Sequence, residues 1–276
     1  MSGHSVLRAL AGGTAGLLLL GAPSSASDEP AHKPDSFRLQ ATWKPMRDSK
    51  YRLFESTESL RAMQSPRVAS AAAEWPNQSI EFALPPADQP LDQPFRVPVD
   101  GFMPFLRQLH PGAAPRVTHM IPAPGAYGVV LQRDATTLDL FYRVHAGFEL
   151  VQDKAWIAVA QFEGRLILEP TAHAVRHFSL TLPPTTPNID MNVRAEGIGI
   201  TADIGSVPEM TLSTERSAPD VPPDRLESVR KVLRRSFYDF AAIEWTSLQE
   251  GLERAIAEDM PLHVVILFGA LTDESC

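Results

Sequence analysis

Apolar and polar residues alternate with a period of two through the middle of the chain. From Thr137 to His145 the alternation puts Leu138, Leu140, Tyr142 and Val144 on one face. Such a pattern predicts a strand with one buried side. His177–Leu182 repeats it with Phe178, Leu180 and Leu182, and Asn188–Val193 and Ile198–Ile204 follow the same rule. Tyr127–Gln132 and Ala155–Phe162 are further strand-like runs. Glu163-Gly164, ahead of Gly164–Leu168, predicts a hairpin turn. Short strands separated by turn residues predict an antiparallel sandwich or curled sheet.

The pattern differs on either side. Residues 27–50 are polar and hold Pro30, Pro34 and Pro45, which predicts a loop or extended arm. Ser56–Ala73 predicts a helix with Leu60 and Met63 on one face, interrupted by Pro66. Residues 74–124 are rich in proline and leave room only for short strands; the apolar island Phe102–Leu106 within them reads as core. A polar, proline-rich linker covers residues 213–224. Beyond it Leu226, Val229, Val232 and Leu233 fall at helical spacing.

Thr246 and Gln249 form a capping-box pattern that opens a second helix, with Leu248, Leu252, Ala255 and Ile256 as its buried stripe. That helix is expected to end near Met260-Pro261. Leu262–Phe268 is almost continuously apolar and predicts a buried, parallel-type strand, which Gly269 breaks before a loop from Ala270 to Cys276. The predicted fold class is α+β: an antiparallel β-rich domain, then the N-terminal part of a thioredoxin-like α/β domain. The expected division is a signal peptide at 1–26, an extended or helical arm at 27–79, a β-rich domain at 80–213, a linker at 214–223 and the thioredoxin-like segment at 224–276.

Composition narrows the function classes. A hydrophobic fraction of 44% with 21% charged residues is that of a globular chain, not a disordered one. A net charge of -8 without a basic stripe argues against a nucleic-acid partner. Cys276 is the one cysteine, so no disulfide forms within these 276 residues, and a single thiol reads as reactive, intermolecular or idle. The apolar run Ala9–Gly21, after Arg8 and before a small-residue site ending at Ala26, predicts an exported protein with a cleaved signal peptide. Export means periplasm or membrane association in a bacterium, and the endoplasmic reticulum in a eukaryote. Membrane association through the uncleaved apolar segment is the alternative to cleavage.

The candidate chemistry lies at the C-terminal end. Capped helix, proline, buried strand, loop and cysteine follow in the order that opens the active-site half of a thioredoxin-like domain. A sulfur placed beyond the strand, at a helix start, meets unpaired backbone donors that stabilise the thiolate. Such an environment lowers a thiol pKa from about 8.5 toward neutrality.

Gly269-Ala270-Leu271, Asp273 and Ser275-Cys276 resemble the stretch of the selenoprotein N family that leads into its Ser-Cys-selenocysteine-Gly redox motif. Phe141–His145, Phe148–Leu150, Ala160–Leu168, Asn188–Met191 and Asp203–Met210 are similar to that family in the same order. The resemblance covers Phe141 to the end and implies a thiol/selenol–disulfide oxidoreductase. It makes Cys276 and Ser275 the site residues, with selenocysteine expected at the position after Cys276. The expected reason that the reading frame closes there is an in-frame UGA, and a chain without the selenol is expected to be a poor enzyme. Substrates would be protein disulfides or small oxidants. Selenocysteine aside, no cofactor or metal is expected; the calcium loop of vertebrate family members has no counterpart here.

Other features read as structural. His173 and His177 have the spacing of a helical metal pair, but they lead into a strand and have no third ligand nearby in sequence. Trp43, Trp75, Trp156 and Trp245 are scattered, as packing residues are. Asn77-Gln78-Ser79 is a glycosylation sequon only in a host that glycosylates exported proteins. The rival function is non-enzymatic: a β-rich module that binds a protein or lipid partner.

Overall fold

The alternating stretches join into one antiparallel sheet, and the sheet also takes in chain that precedes them. The computed structural model describes residues 35–115, 125–184, 187–195, 197, 199–238, 243 and 245–264. The first part of the chain supplies β1 (Ser36–Trp43), the two-residue β2 (Asp48–Ser49), the single-turn α1 (Leu53–Ser56) and β3 (Ala72–Pro76). Next come β4 (Pro94–Val97), α2 (Met103–Leu109) and β5 (Ala113–Ala114). The long meander is β6 (Gly125–Arg133), β7 (Leu138–Val151), β8 (Ala155–Glu169) and β9 (Ala174–Thr181). Then follow β10 (Ile189–Ala195), β11 (Gly199–Ser206), β12 (Met210–Ser213), α3 (Pro223–Phe237) and α4 (Leu248–Glu258).

β8 is the hub. One of its edges pairs with β7 from Leu168 to Ala155. Its other edge divides: Ala155–Ala160 pairs with β10 and Glu163–Glu169 with β9. From this fork one arm continues as β10, β11 and β2, the other as β9, β12, β1 and β3. Asn188 stitches the fork. Its side-chain amide donates to the carbonyls of Pro183 (3.0 Å) and Val207 (2.8 Å), and its carbonyl accepts from Val207 N–H (2.8 Å).

The inner face carries the main core. Leu140, Tyr142, Val144, Ala146 and Phe148 of β7 meet Phe162, Phe178 and Leu180, and Phe102, Phe105 and Leu106 at α2 fill the space above them. Leu138, expected on this face, is only partly buried and packs at its rim. α2 begins with a proline in its first turn, where no intrahelical N–H is lost. The apolar island Phe102–Leu106 is therefore core, as expected, but helical. The opposite face of β6 and β7 is covered by α3, so β7 is buried on both sides.

Several expectations change. Residues 36–43, within the expected loop, form β1 because each edge finds a partner, β12 on one side and β3 on the other. The expected helix at Ser56–Ala73 is reduced to α1 and a 3-10 turn, Glu58–Met63, which still buries Leu60 and Met63. Glu163-Gly164 makes no turn, since β8 runs straight through it. A Cβ on Gly164 would lie 2.9 Å from Leu180 Cδ2 and 3.3 Å from Tyr142 Cβ. Glycine is there for close approach, not for a bend.

At α4 the capping box is Ser247 with Glu250 rather than Thr246 with Gln249. The stripe expected to be buried is exposed, at 63% for Leu248, 48% for Leu252 and 74% for Ile256. Residues 262–264 of the expected buried strand are exposed and irregular, and its remaining residues lie outside those described. The expected signal peptide lies outside them too. Among the described residues no helix is long and apolar enough to cross a membrane. The described chain is thus an α+β protein dominated by antiparallel sheet.

Candidate functional site

Cys276 and Ser275, with the loop from Ala270 that carries them, lie outside the described residues. What the structure shows in detail is the junction that ties the C-terminal segment to the sheet. It is built on the outer face of β6, β7 and β8. Strand register places Tyr127 beside Arg143 and Arg143 beside Glu163, with His145 beside Gln161. α3 lies over this face.

The junction has an apolar part and a polar part. Val229 and Leu233 of α3 sink against Val129, Leu131 and Phe141. Beside them Glu163 accepts two hydrogen bonds from Arg230, from Nε at 2.6 Å and Nη2 at 2.7 Å. The paired geometry makes this a strong, directional contact. The hydrogen bond to Glu163 raises the Arg230 pKa against the opposing effect of burial. Further along β8, Arg165 donates to both carboxylate oxygens of Asp139, at 3.1 and 2.8 Å, and also reaches the Pro219 carbonyl in the stretch before α3. The helix is held at its body and at its approach.

The C-terminal end of α3 closes over a buried polar cluster. Arg143 Nε donates to His145 Nε2 at 2.9 Å, and the same guanidinium donates to Gln161 Oε1. Gln161 Nε2 in turn donates to the Tyr238 hydroxyl at 3.2 Å. The His145 ring stacks on Phe237 with centroids 3.7 Å apart and planes 18° from parallel. The Arg143 guanidinium lies over the rings of Phe237 and Tyr238, at 5.8 and 5.9 Å. Burial, and then the positive charge of Arg143, hold the His145 imidazole well below its usual pKa. Its Nε2 accepts the hydrogen bond from Arg143 Nε–H, so the ring is neutral with its own proton on Nδ1. Burial lowers the Arg143 pKa as well.

A neutral histidine with no solvent exposure does not meet a substrate. The cluster positions the end of α3. Sequence reading missed these roles. Arg143, His145, Gln161 and Glu163 stand at alternate positions on the polar face of their strands, a pattern that reads as solvent-facing. The available signal was that Phe141–His145 and Ala160–Leu168 belong to the blocks of family resemblance. Two other blocks supply Asn188, at the fork, and Asp203. Asp203 is buried and accepts from Ser49 Oγ (2.6 Å) and from the N–H groups of Tyr51 (2.8 Å), Leu53 (2.9 Å) and Ile204 (2.9 Å). His177 has a structural place on β9, with Nδ1 2.7 Å from the Arg216 carbonyl and Nε2 3.1 Å from Ser179 Oγ.

No protein-family model matches the chain. No solved structure matches it. Among curated proteins it is similar to selenoprotein N of Danio rerio, 29% identical over 209 residues, which are 62% of this chain and 37% of that protein. Selenoprotein N of Homo sapiens is 28% identical over 176 residues, 50% of this chain and 30% of that one. The Mus musculus protein is 28% identical over 176 residues, again 50% of this chain and 31% of that one. The chain spans about a third of the length of these relatives. Over half or more of its length the chain is thus similar to selenoprotein N.

Proposed function

We propose that the chain is part of an exported thiol/selenol–disulfide oxidoreductase of the selenoprotein N type, with Cys276 as the sulfur half of a cysteine–selenocysteine pair. The observation that carries this reading is the similarity to selenoprotein N over 62% of the chain. The Gly269–Cys276 stretch, which resembles the approach to that family's redox motif, adds to it. In the full product the residue after Cys276 would be selenocysteine, encoded by UGA. From α3 onward the chain would begin a thioredoxin-like domain, with the α3 junction as its anchor on the β-rich part.

The selenol supplies an anion at neutral pH that attacks one sulfur of a substrate disulfide and releases the other as thiolate. Cys276 resolves the mixed species. Its thiolate attacks the linked selenium, and the substrate leaves as its second thiolate. Two electrons have then passed to the substrate, and a dithiol reductant restores the pair. Protein disulfides or small oxidants fit this chemistry. Ser275 precedes the pair as in the family motif.

The nucleotides after codon 276 test the reading first. An in-frame UGA followed by codons for a glycine-led continuation is expected, together with selenium-75 incorporation and disulfide reduction by the selenium-loaded product. That reduction should be lost in Cys276→Ser, while the 276-residue chain shows little turnover. Another stop codon with nothing translatable beyond it, or strong Cys276-dependent turnover by the 276-residue chain, would overturn it. The rival, a non-enzymatic binding module, draws support from the exposed apolar stripe of α4. A selenium-loaded product that reduces no disulfide would favour that rival.

A further inference from the structure

We propose that the surface pocket formed by the β2 loop and its paired strand β11 is a binding site for a phosphate-type oxyanion. The pocket is open to solvent, has a volume of about 830 Å³, and is lined by Arg47, Lys50 and Arg52 of the loop together with Gly205 and Ser206 of β11. The chain carries 25 Lys and Arg against 33 Asp and Glu, so three cations around one pocket invert the local charge. The one acid in the lining, Asp48, turns its carboxylate to the Ser49 N–H at 2.9 Å. Arg52 pairs with Glu55 at 2.5 Å, with both partners largely in solvent. Such a surface pair contributes little and exchanges readily for a better partner. Arg47 has no ion-pair partner among the described residues, and the Lys50 ammonium rests 5.5 Å from the Tyr51 ring centre.

A basic loop in solvent is ordinarily just hydrated. This one is built differently, because Asp203 fixes it from below. The buried carboxylate takes the Ser49 hydroxyl and the N–H groups of Tyr51 and Leu53. Arg52 N–H donates to Ser49 Oγ at 3.1 Å, and Lys50 N–H donates to the Ile204 carbonyl at 2.8 Å. Held in this way, Arg52 adopts a left-handed backbone, with φ 55°. The neighbouring strand is equally set: a Cβ on Gly205 would lie 2.5 Å from Met46 Sδ and 3.0 Å from Met191 Cε, so glycine there lets β11 pack closely on the core. The cations are thus presented by backbone that is already ordered, and little of that ordering remains to be done on binding.

Two guanidinium forks and an ammonium match a tetrahedral dianion better than a single carboxylate. The volume exceeds that of inorganic phosphate alone and falls in the range of small-molecule sites. It leaves room for the organic part of a phosphate ester or for a lipid headgroup.

Calorimetric titration of the 276-residue chain with pyrophosphate tests the site. Binding is expected, weakened by about tenfold or more in Arg47→Ala/Lys50→Ala, with the melting temperature in the absence of the anion unchanged because both side chains are exposed. Arg38→Ala, an exposed cation on β1, should leave the affinity as it was. Sedimentation with phosphatidylcholine vesicles containing phosphatidic acid separates the two sources. Vesicle binding that needs Arg47 and Lys50 assigns a lipid headgroup, and pyrophosphate binding without it assigns a soluble ester. No binding to either probe, or equal losses in Arg38→Ala and in the double variant, would overturn the site.

Discussion

A carboxylate without solvent exposure needs donors in place of its lost water, and Asp203 has them from Ser49, Tyr51, Leu53 and Ile204. Asp203→Ala leaves those donors stranded, and a cost of about 3 kcal/mol follows from the loss of charge-assisted bonds in a buried place. Urea denaturation measures it; a variant as stable as the parent would show that the β2 loop is held by other means. His145 makes the fold sensitive to acid. Burial, then Arg143, depress its folded pKa below 6.5, and burial lowers the pKa values of His110 and His177 in the same direction. The unfolded chain therefore binds more protons than the folded one just below that value. Stability from these groups is full above about pH 6.5 and is lost as pH falls below it. Unfolding free energies between about pH 7.5 and 5 should decline, and His145→Gln should flatten the slope even though it lowers the plateau. An equally steep slope in that variant would remove His145 from the account.

At the scale of elements, α3 shows how packing and polar contacts divide the work. Leu233 is fully buried between the helix and β6–β7, and its truncation to alanine is expected to cost about 3 kcal/mol from lost transfer and cavity terms. Arg230→Ala is expected to cost only about 1 kcal/mol, because the side chains of the pair keep 34% and 22% of their exposure and solvent screens them. Denaturant titrations of the two variants should keep that order, and the reverse order would mean that the ion pair, not the apolar stripe, docks the helix. α4 is different. Its capping box satisfies its first turn, but with Leu248, Leu252 and Ile256 exposed it gains little from burial of its apolar stripe. A short helix without such packing is marginal.

At the scale of the molecule, one sheet links β1 to β12, so residues 36–213 are expected to unfold together. Tryptophan fluorescence, from Trp43, Trp75 and Trp156 in the sheet, and far-ultraviolet circular dichroism should give coincident urea transitions. Amide exchange in α4 should run far faster than in β7 and β8. Slow exchange in α4 matching that of the sheet would show that its apolar face is covered in solution.

The strands themselves were legible in the sequence, because a period of two is a local property that each segment carries alone. Phe178, Leu180 and Leu182 are buried together for that reason. The helix at α3 was legible on the same ground, and the family resemblance rested on short blocks that need no fold to be seen. What only tertiary structure decided was partnership. β1 is a strand because residues 210–213 and 72–76 flank it. Gly164 stays within β8 because Leu180 and Tyr142 crowd its missing side chain. Arg143 and His145 are buried, and Glu163 is half-buried, because α3, far along the chain, covers them. Hydrophobic period is set by neighbours along the chain, whereas burial of a polar face is set by whichever distant segment lands on it.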